Sequence, residues 1–271
     1  MHMRNVAIGF ALLASSPAFA AELIVNTVAA LPSSTTWGTL PGENTGGGAR
    51  TAVTSTVARS GTGSLELFGD RARAQIGIQY NPVRTNLGNL SSAQSLTFDW
   101  RIAGDSTNPY NADYTPALRL LFQDAGTSTR KELIWEGAYN NVYGNVLRDK
   151  WYTSSATDLF YVTGGSVNEG RTIAAWASIF DPRSTISGFS VGVGSGATAG
   201  YHAFADNVTF ATSAGSSTYN FEQAALIPEP ATWAMMIIGF GGIGGALRSA
   251  KRRSGQKLGS DTGRASGSAS A

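Results

Sequence analysis

An all-β body closed as a β-sandwich, carrying one short helix and followed by a C-terminal transmembrane helix, is the fold this sequence predicts. Three observations carry that expectation. Between positions 51 and 210 apolar residues alternate, or run in short blocks, between Gly, Asn and Ser punctuation, which is the signature of strands. One window, 170–180, shifts to helical spacing, and 231–247 contains no charged side chain.

In chain order, the N-terminus reads as an export signal. Arg4 supplies the positive start, Val6 to Ala14 an apolar run too short to span a bilayer, and Ala18-Phe19-Ala20 a small-x-small site predicting cleavage before Ala21. The body then occupies 21–225, enough for one sizeable domain. With no cysteine, disulfides, zinc-thiolate sites and thiol nucleophiles are excluded, and the core must supply the stability. Although the whole chain is +2, residues 21–225 hold 13 Lys or Arg and 16 Asp or Glu, so the body is 13 − 16 = −3. Nucleic-acid binding by the body therefore has no electrostatic basis.

Strands are expected at Thr51–Val57, Ser64–Phe68, Ala74–Tyr80, Leu96–Ile102, Ala117–Phe122, Glu132–Trp135, Leu159–Val162, Phe189–Val193 and Ala203–Phe210. That number fits a sandwich whose first and last strands pair so that the termini emerge together. The helix, Gly170 to Phe180, places Ile173, Trp176, Ala177 and Phe180 on one face, and Asp181-Pro182 stops it because the residue before proline avoids helical backbone.

Catalytic chemistry finds little support here. His202 is the only histidine outside the export signal, it falls in a strand, and no GxSxG accompanies it, so a Ser-His-Asp set and multi-histidine metal sites are not expected. Glycoside hydrolysis needs only two carboxylates, and Glu132 and Glu136 are the best pair. Strand alternation puts both on one face with Trp135 opposite, about 13 Å apart, too far for the usual separations. No catalytic residue is assigned, and no enzyme is expected.

Sugar binding draws on exposed aromatic rings and hydroxyl-bonding side chains. The segment from Trp135 to Tyr152 is rich in both, making Trp135, Tyr139, Tyr143, Trp151 and Tyr152 a candidate glycan platform, although aromatic residues of a sandwich are also its usual core. Asp105, Asn108, Asp113 and Asp206 are candidate calcium donors, without EF-hand spacing and equally consistent with solvated turns. No other cofactor is expected.

The C-terminal stretch is the most specific. Pro228-Glu229-Pro230 leads into Ala231–Leu247, which as a helix is about 25 Å long. Arg248, Lys251, Arg252 and Arg253 then anchor its cytoplasmic end. Gly239-Phe-Gly-Gly-Ile-Gly244 matches GxGxxG in letters, yet lacks the strand before and the second strand after that a dinucleotide site requires. The Pro-Glu-Pro triplet, Trp233-Ala234, the glycine-bearing apolar run and the basic cluster together resemble a PEP-CTERM sorting signal of the PEPxxWA form. That resemblance implies exosortase, the intramembrane processing enzyme of Gram-negative bacteria that make exopolysaccharide, as a partner. Pro228, Glu229, Pro230, Trp233 and Ala234 form the processing motif. A second likeness is looser: the glycine-rich strand 188–196 and the closing 201–210 are similar to the ends of lectin-like or galactose-binding-like jelly rolls.

The expected organisation is thus export signal 1–20, sandwich 21–225, sorting signal 226–253 with its transmembrane helix 231–247, and a compositionally disordered polar tail 254–271. The expected function is an exported, exosortase-sorted surface protein, tethered in the inner membrane before processing, acting as a structural or exopolysaccharide-associated part of the envelope matrix. A lectin-like module is the first alternative and a polysaccharide-degrading enzyme the second.

Overall fold

The computed structural model describes residues 19–46, 48–79, 85–108, 113–142, 144, 146–194 and 196–224, and, further on, Met235, Ile237, Ile238, Phe240, Ile243 and Arg248. The chain divides into two compact units, Met1–Ala224 and Ala225–Ala271.

In the first unit the strands are β1 Phe19–Val25, β2 Trp37–Gly38, β3 Arg50–Thr54, β4 Ser64–Phe68, β5 Arg73–Gly77, β6 Ala93–Ile102, β7 Ala117–Asp124, β8 Thr129–Trp135, β9 Tyr152–Thr153 and β10 Tyr161–Val162. Helix α1, Ile173–Ile179, precedes β11 Thr185–Gly192, β12 His202–Thr212 and β13 Gly215–Phe221. They form a seven-stranded sheet and a six-stranded sheet ordered β10-β8-β7-β11-β5-β2. Trp37, Phe98, Trp100, Trp135, Phe189 and Phe221 are each 2% exposed or less and fill the space between the sheets. Large aromatic side chains bury more apolar area than any others, so this cluster dominates the hydrophobic term.

Strand β12 organises the larger sheet. Along one edge it pairs with β6; along the other it pairs with β4 through Ala205 and with β13 from Val208. Asp206 and Asn207 sit at that changeover, where the register shifts, and Asn207 takes the left-handed φ of 49° that a short polar side chain tolerates.

Two expectations change. The expected first and last strands, Thr51–Val57 and Ala203–Phe210, do not pair, since β4 lies between β3 and β12; the pair nearest the ends of the unit is β1 with β13, which run parallel, with Phe19 beside Gly215 and Val25 beside Phe221. Chain entry and exit therefore lie at opposite ends of the ladder, about 20 Å apart at strand rise. The cleavage expected before Ala21 falls inside β1, where Ala20 and Ala21 are exposed, and Ala21–Val25 on its C-terminal side pair with Ser217–Phe221. The helix is shorter than expected at both ends, because Gly170 and the cap Thr172 have non-helical backbone and Phe180 is an extended C-cap, half-buried against Phe122. Thr172 caps α1, its hydroxyl accepting from the Ala175 N–H, and Ile173, Trp176 and Ala177 are buried as the spacing requires.

In the second unit Met235, Ile237, Ile238, Phe240, Ile243 and Arg248 are helical and exposed. Among the described residues no helix is long and apolar enough to cross a membrane. Residues 1–18, with Ala18 of the cleavage site, the motif residues Pro228, Glu229, Pro230, Trp233 and Ala234, the anchors Lys251, Arg252 and Arg253, and the tail 254–271 lie outside the described residues.

Candidate functional site

The outer face of the six-stranded sheet carries a polar row that strand alternation dictates. Leu118, Leu120 and Phe122 of β7 point into the core, so Arg119 points outward. Register then places Tyr161, Ile134, Arg119, Ser190 and Gln75 side by side across β10, β8, β7, β11 and β5. Arg119 is only 5% exposed and its Nε lies 3.8 Å from Glu132 Oε2. Burial, followed by the neighbouring Arg73, lowers its pKa to about 10, while Glu132 and Glu136 oppose that shift; the guanidinium stays charged at neutral pH. Arg73 pairs with Glu43 at 3.1 Å. Three buried donor atoms on or beside this row lack a partner: Arg119 Nη1, Arg73 Nε and Ser190 Oγ. Unmet buried donors are uncommon in folded proteins and mark places where a ligand or water belongs.

At the edge of this row the chain turns through the 3-10 segment Gly137–Tyr139. That turn is pinned from several sides. The Gly137 N–H donates to Thr115 Oγ1, the Val142 N–H to the Gly137 carbonyl, and the Asn140 amide both donates to the Leu159 carbonyl and accepts from the Leu159 N–H. A Cβ on Gly137 would lie 2.7 Å from Thr115 Cγ2, so only glycine allows this close approach. Tyr139 projects from the turn 45% exposed, with its ring edge-on to Tyr161 at 5.6 Å between centroids. Burial, then the neighbouring Glu136 carboxylate, pushes the Tyr161 pKa well above the ordinary tyrosine value. Burial also raises Tyr114, again reinforced by Glu136.

Two clefts flank Tyr139. One, about 180 Å³, is lined by Asp113, Tyr114, Thr115, Ala117, Glu136, Tyr139 and Gly194 among others. The other, about 200 Å³, is lined by Tyr139, Leu159, Tyr161, Val167, Asn168 and Gly170. Together they form a saddle with one exposed ring at its crest.

Of the candidate platform, only Tyr139 is both described and exposed. Trp135 belongs to the core at 1% exposure, packed against Phe98 and Trp100 with its Nε1–H donating to Asp158, so it cannot stack on a sugar. Tyr152 lies half-buried, stacked on Trp100 at 4.7 Å, and Trp151 is half-buried as well. Both belong to the β9 region beside the other sheet, and Tyr143 lies outside the described residues. Glu132 and Glu136 do share the outer face, and Arg119, the cross-strand partner of Ile134, stands at the position between them.

The candidate calcium donors do not converge. Asp105 meets His202 Nδ1 at 2.7 Å, Asn108 donates to the Gly196 carbonyl, Asp113 accepts from the Gly144 N–H, and Asp206 is enclosed at β12. Among the described residues no group of three or more His, Asp or Glu side chains is placed to hold a metal ion.

The outer face of the larger sheet holds a second polar network of different character. His202 places Nε2 2.9 Å from Glu66 and Nδ1 2.7 Å from Asp105. Asp206, fully enclosed, accepts the Asn207 and Phe221 N–H groups, while its cross-strand partner Asp99 accepts from Arg59, Asn207 and Thr153. Burial raises the Asp206 pKa to about 6 against those hydrogen bonds. None of the polar atoms of His202, Glu66, Asp206, Asn207 and Asp99 is left buried without a partner.

Sequence reading reached Tyr139, Glu132 and Glu136 but missed Arg119, Tyr114 and Tyr161. One local sign was available: a lone arginine on the outward register of the apolar block 117–122.

Comparison with known proteins places the chain at its C-terminus. Residues 226–253 match the family described as a PEP-CTERM protein-sorting motif. Residues 226–253 therefore carry a PEP-CTERM sorting motif, and that motif implies export, sorting to the cell surface and exosortase as processing partner. No curated protein matches the chain.

Proposed function

We propose that this surface-sorted protein associates with exopolysaccharide in the envelope matrix through the Tyr139 saddle, and that 231–247 tethers it in the inner membrane until exosortase releases it. The observation that carries the first half is an exposed ring held on a pinned turn between two clefts lined by hydroxyl-bonding groups. Sugars meet such a surface with their apolar C–H faces on the ring and their hydroxyls on the surrounding polar groups, and a pre-organised ring saves the entropy of ordering it.

The tether rests on pattern. Met235, Ile237, Ile238, Phe240 and Ile243 point in directions spread around the whole helix, and all are at least 62% exposed. A helix apolar on every side is suited to lipid rather than to a protein core. In a host with exosortase, the mature protein should lose Trp233 and the residues after it, and Pro228→Ala with Glu229→Ala should leave the intact chain in the membrane fraction. Retention of the intact C-terminus in both proteins would show that the segment is an anchor only.

The face is read as binding rather than cleaving. A hydrolytic pair needs open space between its carboxyls for the sugar, whereas Arg119 stands between Glu132 and Glu136 and pairs with the former. Polysaccharide retention without release of reducing ends is the expected result. Sugar release abolished by Glu132→Gln or Glu136→Gln would replace this reading with the enzymatic one.

A further inference from the structure

We infer that β1 is an interaction edge whose partner is a second copy of this chain, the two β1 strands pairing antiparallel about a two-fold axis at Leu23 so that one sheet runs through both copies.

The open edge is the first ground. Among the described residues β1 pairs with β13 alone and ends the larger sheet. The Glu222 N–H donates to the Val25 carbonyl, so Val25 turns its backbone polar groups toward β13. Alternation then turns those of Glu22 and Ile24 away from β13. Among the described residues no group bonds to the Glu22 or Ile24 backbone. Such a row of unpaired N–H and C=O groups is a template for another strand.

Missing protection is the second. Edge strands are ordinarily blunted by charges, proline or a bulge. β1, Phe-Ala-Ala-Glu-Leu-Ile-Val, has a single charge and no proline, and its ladder with β13 runs without a register shift. That charge is drawn back over β13, because the Asn220 amide donates to Glu22 Oε1 at 2.7 Å. Leu23 and Ile24 stay 41% and 59% exposed, beside a cleft of about 260 Å³ lined by Val25, Ile76 and Tyr219 among others.

Self-complementarity is the third ground, and it names the partner. An antiparallel two-fold pair must set the outward backbone groups of one β1 against those of the other. Centred on Ala21, it needs Phe19 and Ala20, which precede the expected cleavage site. Centred on Glu22, it opposes two carboxylates, and like charges directly opposite are destabilising. Centred on Ile24, it runs past Val25, where β1 ends. Centred on Leu23, it sets Leu23 against its own copy, Glu22 against Ile24 and Ala21 against Val25, with no like charges opposed. This register fits within Ala21–Val25, the part of β1 that follows the cleavage site.

The chain has no cysteine, so single introduced cysteines report the register in the full-length protein held in mild detergent. Under mild oxidation Leu23→Cys should form a disulfide-linked dimer, because the two Cα atoms at the axis lie about 4.5 Å apart, within the span of a disulfide. Ile24→Cys, whose copies lie on the diagonal about 7–8 Å apart, and Leu31→Cys, exposed and off β1, should cross-link far more slowly. Light scattering should give the parent the mass of two copies. Leu23→Lys, which opposes two ammonium groups at the axis, should shift it to the mass of one, and mixing that variant with Leu23→Glu should restore the larger mass. Leu23 is partly exposed, and matching melting curves for the variants establish that folding is intact. Equal cross-linking of the three cysteine variants, a parent with the mass of one copy, a dimer that survives Leu23→Lys, or a mixture that stays at the lower mass would each overturn the inference.

Discussion

The outer faces of the two sheets bury similar kinds of side chain, but only one of them borders clefts with an exposed ring between them. On the larger sheet, buried His202, Glu66, Asp99 and Asp206 and half-buried Asn207 find their partners, while Arg101 Nε, Asn220 Oδ1 and Thr54 Oγ1 of the same face do not. On the smaller sheet, buried Arg119 and Ser190 and half-buried Arg73 also leave donors unmet, and here the face borders two clefts and an exposed ring. A satisfied buried network fixes structure, here the changeover of β12 from β4 to β13. A cleft with an exposed ring beside it is where a ligand can enter.

The comparison breaks most readily at Asp206. Asp206→Ala leaves the Asn207 and Phe221 N–H groups without an acceptor, and each orphaned buried donor costs about 1–3 kcal/mol. A loss of stability of about 2–6 kcal/mol should appear in denaturant unfolding. A loss below about 1 kcal/mol would mean the changeover does not depend on this carboxylate.

Next in size is a pH effect at the same residue. Its folded pKa, about 6, lies above the ordinary 3.8, so between these values the unfolded chain releases a proton that the folded chain keeps. Stability from this group is therefore fully present below pH 4, falls as pH rises to 6, and is level above. At about 1.4 kcal/mol per unit the fall is about 3 kcal/mol. Asp206→Asn should flatten that part of the stability profile relative to the parent, measured by urea unfolding at each pH, and an unchanged slope would remove the assignment.

Smaller again is the effect of emptying the other network. Replacing a buried ion pair as a whole by apolar residues is often neutral, whereas removing one member is not. Arg119→Met with Glu132→Leu should change stability by no more than about 1 kcal/mol, while Glu132→Leu alone, which strands the guanidinium, should cost more. Equal losses in the two proteins would show that the pair is structural after all.

Much of this architecture was legible because strand register is a local property. Ser64–Phe68 is the strand β4 to the residue, and Ile173, Trp176 and Ala177 form the buried helix face their spacing demanded. Missed were β13, whose Gly-Ser-Ser-Thr opening reads as a linker, and β1, which overlaps the export signal. β1 is the edge strand of the larger sheet and β13 lies between it and β12; both are made strands by their partners rather than by their own side chains. The sorting signal was legible because a processing enzyme reads contiguous residues. The saddle was not, since Tyr114, Arg119, Glu136, Tyr139 and Tyr161 come from separate strands and turns that only the fold brings together. Aromatic density in 135–152 located Tyr139 but could not separate it from Trp135, although alternation had already set Trp135 opposite the two glutamates.

The most direct test sets the two faces against each other in one pair of measurements on Tyr139→Ala. Its melting transition should match the parent, with stability changed by less than about 0.5 kcal/mol as for a surface substitution, while its retention on the immobilised polysaccharide that holds the parent should be lost. A variant that binds as the parent does, or one that loses binding only together with its fold, would contradict the assignment of this face to polysaccharide.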